Sequence, residues 1–299
     1  MEVPRTPLKI IVLGLCLFAL SACNQTPRIL IVGDSWAFLM GYQNSLGKAL
    51  TKHGYVLYRD QFTMVKPTAF PGTTTEDFVK NRLNLMENTL AALRETPTLD
   101  IVHLSLGGND AINKWMPWFG LRQEEALWDE ICDNLRVIIE QILAVRPTIR
   151  VAVCGYDYMD ATVQGRPANE LNQLCVRFEK RVLEMLSTMD RCTFINNFGL
   201  MQCTYGYPGH FDDMGEISDQ PSIYEPGELP CPGNADSGYE PFAGGDIAYP
   251  SPSSSLATWL DTNGYIHLNA GGYDVLGMHC VDVCYADWLD HPLVADESR

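Results

Sequence analysis

The sequence predicts an α/β protein built on a mostly parallel sheet covered by helices on both faces. Short apolar runs alternate with longer amphipathic stretches, in the order strand, helix, strand, helix. The chain has 299 residues and is 46% hydrophobic, enough for one large α/β domain with a sizeable core. It contains no internal repeat and no obvious linker, so one domain with a large insertion is expected.

The elements follow in order. "RILIVG" reads as a buried strand, and residues 36 to 53 as a helix. "YVLYRD" is a short strand. "FPGTTTEDF" then turns into a helix from Thr75 to Arg94, with Thr74 or Thr75 as cap and Glu76 and Asp77 in the first turn. "LDIVHLSLG" is the next strand. Residues 122 to 145 form a helix stopped before Pro147. "IRVAVCGYD" is a strand, residues 168 to 188 a helix, and "CTFINN" the last strand. Right-handed crossovers bring all strand C-termini to one edge, where sites form. Residues 199 to 256 break this texture, being rich in Gly, Pro, Ser, Asp and Tyr. A loop that long is functional or pinned, and Cys203 and Cys231 lie inside it.

Formal net charge is -16, with no cluster of Lys and Arg, which excludes a phosphate-binding face and hence nucleic acid as a partner. Residues 1 to 22 read as an export signal: Arg5 and Lys9 precede the apolar run "IIVLGLCLFAL", which is short for a bilayer span. "LSAC" then resembles a bacterial lipoprotein signal, which implies a lipid on Cys23 and a domain over residues 23 to 299. Asn24 after that cysteine implies, by the same resemblance, the outer membrane. The alternative is ordinary secretory cleavage after Ala22.

Eight cysteines remain in the mature chain, an even number that suits disulfides in an exported protein. At least two bridges are expected, Cys203–Cys231 first. Some of the eight, Cys154 in its apolar run especially, also fit buried thiols. The absence of a tight CxxC pair gives structural zinc little support.

The chemistry-bearing residues fall at strand ends. Ser35 follows the first strand in "ILIVGDSW", Gly72 follows the second in "FPGTTTE", and Asn109 follows the third in "LSLGGNDAIN". His267 stands late, in "DTNGYIHLNAGG". Each has a bland reading: Ser35 as a helix cap, Asn109 as a turn residue, His267 as a surface-loop histidine. A parallel sheet nevertheless gathers all four onto one edge.

Taken together, Gly-Asp-Ser, the glycine, Gly-x-Asn-Asp and the late His-Leu-Asn resemble the SGNH, or GDSL, hydrolase family, in that family's order and over nearly the whole mature chain. The resemblance implies a flavodoxin-like three-layer α/β/α fold, with the large loop insertion before the catalytic histidine. It also implies ester hydrolysis without a metal or other cofactor. Ser35 would be the nucleophile and His267 its base, since imidazole titrates near neutral pH. The backbone N–H groups of Ser35 and Gly72 and the side-chain amide of Asn109 would form the oxyanion hole. Asp34 and Asp110 are expected to hold loops. His53, His103, His210, His279 and His291 are assigned no role.

One position departs from the pattern. The family usually carries an aspartate three residues before the histidine, where this chain has Gly264. Asp261, six residues before His267, is the candidate third member, reaching the imidazole through a small insertion. Without it, a backbone carbonyl or water orients a Ser-His dyad.

The expected activity is a serine esterase or lipase acting on a small ester or acylated substrate. An acyltransferase or deacetylase on a cell-envelope glycan would use the same residues, and a non-catalytic binding lipoprotein is the third class. Acyl chain length, alcohol and oligomeric state are not written in the sequence. Tyr205, Tyr207, Tyr224, Tyr239, Phe242 and Tyr249 of the insertion, with Trp115 and Trp118, are candidates for a substrate wall or simply for loop packing. Asp212, Asp213, Glu216 and Asp219 match no EF-hand spacing, so no metal is assigned.

Overall fold

The computed structural model describes residues 25–116, 118–161, 166–207, 222–232, 243–257 and 264–294. A five-stranded parallel sheet runs through its centre. The strands are β1 (Thr26–Gly33), β2 (Tyr58–Gln61), β3 (Ile101–Ser105), β4 (Arg150–Cys154) and, at one edge, Cys192–Ile195. Their spatial order puts β2 beside β1, then β3, β4 and the Cys192–Ile195 strand, which is the flavodoxin-like order. β1 pairs with β3 from Ile29↔Ile101 to Gly33↔Ser105. Ile29 to Val32 and every residue of β3 and β4 are buried. Helices cover both faces, so these strands are apolar runs rather than alternating ones.

The helices named below are α1 (Ser35–Tyr42), α2 (Ser45–Lys52), α3 (Thr75–Val79), α4 (Leu85–Glu95), α5 (Gly108–Lys114), α6 (Leu121–Leu143), α7 (Ala168–Leu186), α8 (Leu200–Tyr205) and α9 (Ala270–Cys280). Two expected long helices are each broken. The 36 to 53 segment splits into α1 and α2 at Asn44, which sits in the left-handed region with φ 55°. The 75 to 94 segment splits into α3, a 3₁₀ turn at Arg82–Asn84, and α4, with Asn81, Leu83 and Asn84 all at positive φ. Asparagine tolerates that region, and the Asn81 Oδ1 repays the break by accepting the N–H of Glu87 at 3.0 Å.

A second, two-stranded antiparallel ribbon joins β5 (Asp160–Ala161) to Gly264–Tyr265, the strand just before His267. The residue just after the insertion holds the same loop from the other side: the Ala257 N–H donates to the His267 carbonyl at 2.8 Å. Within the described parts of 199–256 the packing is firm. Cys203 is bonded to Cys231. The Gln202 amide donates to the carbonyls of Tyr249 (2.8 Å) and Pro250 (2.9 Å) and accepts the N–H of Asp246 at 2.7 Å.

Among the described residues the expected second disulfide is absent. Cys132, Cys154, Cys175, Cys192, Cys280 and Cys284 are free, and all but Cys192 are buried. The five buried ones pack as small apolar core residues. Cys154 and Cys280 are neighbours, with Sγ atoms 3.5 Å apart. Among the described residues no helix is long and apolar enough to cross a membrane. Residues 1 to 22 and Cys23 lie outside the described residues.

Candidate active site

The site is assembled from the C-terminal ends of β1 and β3, the loop after β2, and the loop before α9. β1 ends in Gly33, whose φ of +140° and approach to β3 both demand glycine: a Cβ there would lie 1.8 Å from the Ser105 carbonyl oxygen. The next residue settles which side chain is the cap. Asp34, not Ser35, caps α1, its Oδ1 accepting the Trp36 N–H at 2.9 Å. Ser35 is the first residue of the helix and is half-buried. Its Oγ lies 2.8 Å from Nε2 of His267, 232 positions away in the chain.

The two candidate amide donors are tied to each other. Asn109, the second residue of α5, donates from Nδ2 to the Thr73 carbonyl at 3.0 Å. A primary amide carries two protons, and the second is directed elsewhere. Gly72 stands next to Thr73, exposed, with φ +78°. Apart from its two chain neighbours, no atom of the described residues lies within 4 Å of a Cβ built there, so its need for glycine is conformational. Asp110 clamps the two loops: it accepts the Thr75 N–H at 2.8 Å and the Thr75 hydroxyl at 2.9 Å. Burial pushes the Asp110 carboxyl up, while Thr75 and Lys114 oppose that. Thr74 caps α3 in a capping box with Asp77, so the turn carrying Gly72 is held at both ends.

Sequence reasoning missed Tyr156. Its hydroxyl donates to Asp34 Oδ2 at 2.6 Å and accepts the Gly108 N–H at 2.9 Å. One phenol thus links the residue before Ser35 to the residue before Asn109. Burial pushes the Asp34 carboxyl up to about 6, opposed by hydrogen bonds from Tyr156 and Trp36 and by the nearby His267. Tyr156 is itself raised well above the usual phenol range, mainly by burial and then by Asp34. The available signal was position: Tyr156 follows the strand in "IRVAVCGYD", on the same edge as Ser35 and Asn109.

The proposed aromatic walls fare differently. Trp115 is a core residue: its Nε1 donates to Glu124 at 2.7 Å and Arg166 lies over its ring at 4.9 Å. Trp118 is 77% exposed. Tyr207 and Tyr224 both pack on Tyr249, with centroids 5.0 and 6.0 Å away, which fits loop packing. Tyr239, Phe242, His210, the acids Asp212, Asp213, Glu216 and Asp219, and Asp261 lie outside the described residues. The aromatic rings beside Ser35 are instead Trp36 and Tyr156, edge to face at 5.3 Å.

No protein-family model matches the chain, and no curated protein does. Among solved structures, it is similar to a mutant of Axe2, an acetyl-xylooligosaccharide esterase from Geobacillus stearothermophilus, at 13% identity and a TM-score of 0.50, over 87% of this chain and 94% of that one. A carbohydrate esterase family 3 protein from Talaromyces cellulolyticus aligns at 12% identity and a TM-score of 0.48, over 89% of this chain and 99% of that one. An aryl esterase from M. smegmatis aligns at 14% identity and a TM-score of 0.47, over 90% and 100%. At these identities the likeness to Axe2 is one of fold, a three-layer α/β/α architecture around a parallel sheet.

Proposed function

We propose that the protein is a serine ester hydrolase of the SGNH type. The observation that supports this most is the 2.8 Å contact between Ser35 Oγ and His267 Nε2 at the sheet edge. A serine hydroxyl attacks only when a base takes its proton, and Nε2 is within reach of that proton. As Oγ bonds to the carbonyl carbon, charge develops on the carbonyl oxygen. The N–H groups of Ser35 and Gly72 and the free amide proton of Asn109 would receive it. His267 then returns the proton to the leaving alkoxide, and water, deprotonated by the same nitrogen, cleaves the acyl-enzyme to free acid. A fluorophosphonate probe should label Ser35 in the wild type and leave Ser35→Ala unlabelled. Unlabelled wild type that also cleaves no p-nitrophenyl ester would overturn the reading. Free acid as the sole product separates hydrolysis from acyl transfer to a glycan.

Asp261 is the proposed orienting acid. If it holds the imidazole, Asp261→Asn should lower kcat by about 10²-fold or more and move the pH profile, because the amide permits the wrong tautomer. A change under about threefold with an unmoved profile would leave a Ser-His dyad. Cys23 is the proposed lipid anchor, motivated by "LSAC" after an apolar run. Protein expressed with its own signal should partition into detergent and carry acyl mass on Cys23. An unmodified N-terminus in the soluble fraction would refute it.

A further inference from the structure

We infer that the cavity beside Ser35 is an acyl pocket sized for an acetyl group, so that the substrate is an O-acetyl ester; this rests on Ser35 being the nucleophile. Ser35 and Asn109 line the cavity, and Trp36, Ile112, Met159 and Ile266 supply apolar wall. His267 is not part of that wall among the described residues. This decides which half of an ester enters. The tetrahedral carbon carries four groups: Ser35 Oγ, the oxyanion on the Asn109 side, the leaving oxygen facing His267, and the acyl chain. With the first three directions taken, the cavity is left for the chain.

Its volume is about 20 Å³. One water-sized group needs roughly 10–15 Å³ on this measure, so the space holds a methyl group and little more. The wall is not free to swell. Ile112, Met159 and Tyr156 are at most 8% exposed, and buried Cys175 also lines the cavity. Tyr156 is fastened by its hydroxyl to Asp34 and Gly108, and a Cβ on Gly108 would already lie 2.6 Å from the Tyr156 ring. Close-packed interiors of this kind resist an added methylene. A longer chain has to displace Ile112 or Met159, or stay outside with its carbonyl out of line.

The test is the rate on p-nitrophenyl acetate, propionate, butyrate and octanoate with the purified protein. We expect kcat/KM to fall at least about tenfold for each methylene added beyond acetate. Ile112→Ala should raise the butyrate-to-acetate ratio by about tenfold or more, and Met159→Ala is the second enlarging variant, with thermal melting to verify folding of each. Octanoate cleaved within about threefold of acetate, in a Ser35-dependent way, would overturn the acyl pocket and leave the esterase reading standing. An unchanged ratio in both folded variants would overturn the pocket as well. If no ester is cleaved in a Ser35-dependent way, the esterase reading itself fails and the inference falls with it.

Discussion

Among the described residues two histidine–hydroxyl pairs stand out, and their surroundings differ more than their geometry. At the sheet edge, His267 Nε2 is 2.8 Å from Ser35 Oγ, and both residues are half-buried. In the core, His103 Nδ1 is 2.7 Å from the hydroxyl of Tyr285, and both are fully buried beside the thiols of Cys154 and Cys280. Burial alone pushes His103 down to about 4, and burial, aided by Cys280, Cys154 and Cys284, drives the Tyr285 phenol well above its ordinary range. The inner pair therefore exchanges no proton near neutral pH and has no room for a substrate. Its place within β3, rather than after a strand, denies it donors for an oxyanion. A hydrogen-bonded histidine and hydroxyl are thus insufficient for chemistry. Solvent access and a strand-end position decide between reaction and packing.

The comparison breaks most sharply at Ser35, the proposed nucleophile. Ser35→Ala should reduce ester hydrolysis by about 10⁴-fold or more with little change in melting temperature, and His267→Ala should do the same without the two losses adding. Steady-state rates on a p-nitrophenyl ester check both, and full activity in either variant would place the reaction elsewhere. The next effect is the donor. Asn109→Ala should cost about 10²–10³ in kcat, the usual loss for one oxyanion-hole donor. A change confined to KM would mean that Asn109 serves the Thr73 loop only.

The inner pair should register in stability instead. Native His103 stays neutral down to about 4, whereas the unfolded chain protonates it near 6.5. The unfolded state binds more protons between those values, so this contribution is whole above 6.5 and is lost as pH falls toward 4. Its size is about 3 kcal/mol, read as the difference in pH slope of denaturant unfolding between wild type and His103→Phe. Equal slopes would remove the contrast drawn between the two histidines. The smallest expected change is at the link between the loops. Tyr156→Phe removes the hydroxyl shared by Asp34 and Gly108 and should cost about 2 kcal/mol of stability, as for a buried hydrogen bond to a charged group. Activity should fall as well, because Ser35 and Asn109 lose their common brace. A variant with reduced stability and unaltered kcat would show that the brace does not reach the reacting groups.

Much of this architecture was legible beforehand because its causes are local. Apolar runs at strand length, amphipathic stretches between them and glycine at strand ends mark the parallel sheet and its edge. The positions of Ser35, Asn109 and His267 on that edge follow from sheet topology. The broken helices were harder to read, because Asn44 and Asn81 act through left-handed backbone conformations that leave the apolar pattern intact. The cysteines misled by count: evenness suggests bridges, yet six of them are thiols, five of those buried in the core.

By itself, then, the sequence determined the α/β class, the order of the strands and helices, and the strand ends where chemistry is possible, since those depend on side-chain periodicity and nearby turn residues. Only the tertiary structure decided that Asp34 rather than Ser35 caps α1, that His267 meets Ser35 across 232 positions, that Tyr156 joins the Ser35 and Asn109 turns, and that a small cavity opens beside Ser35. Those are long-range distances and volumes, set by how packed elements meet, and no local pattern encodes them.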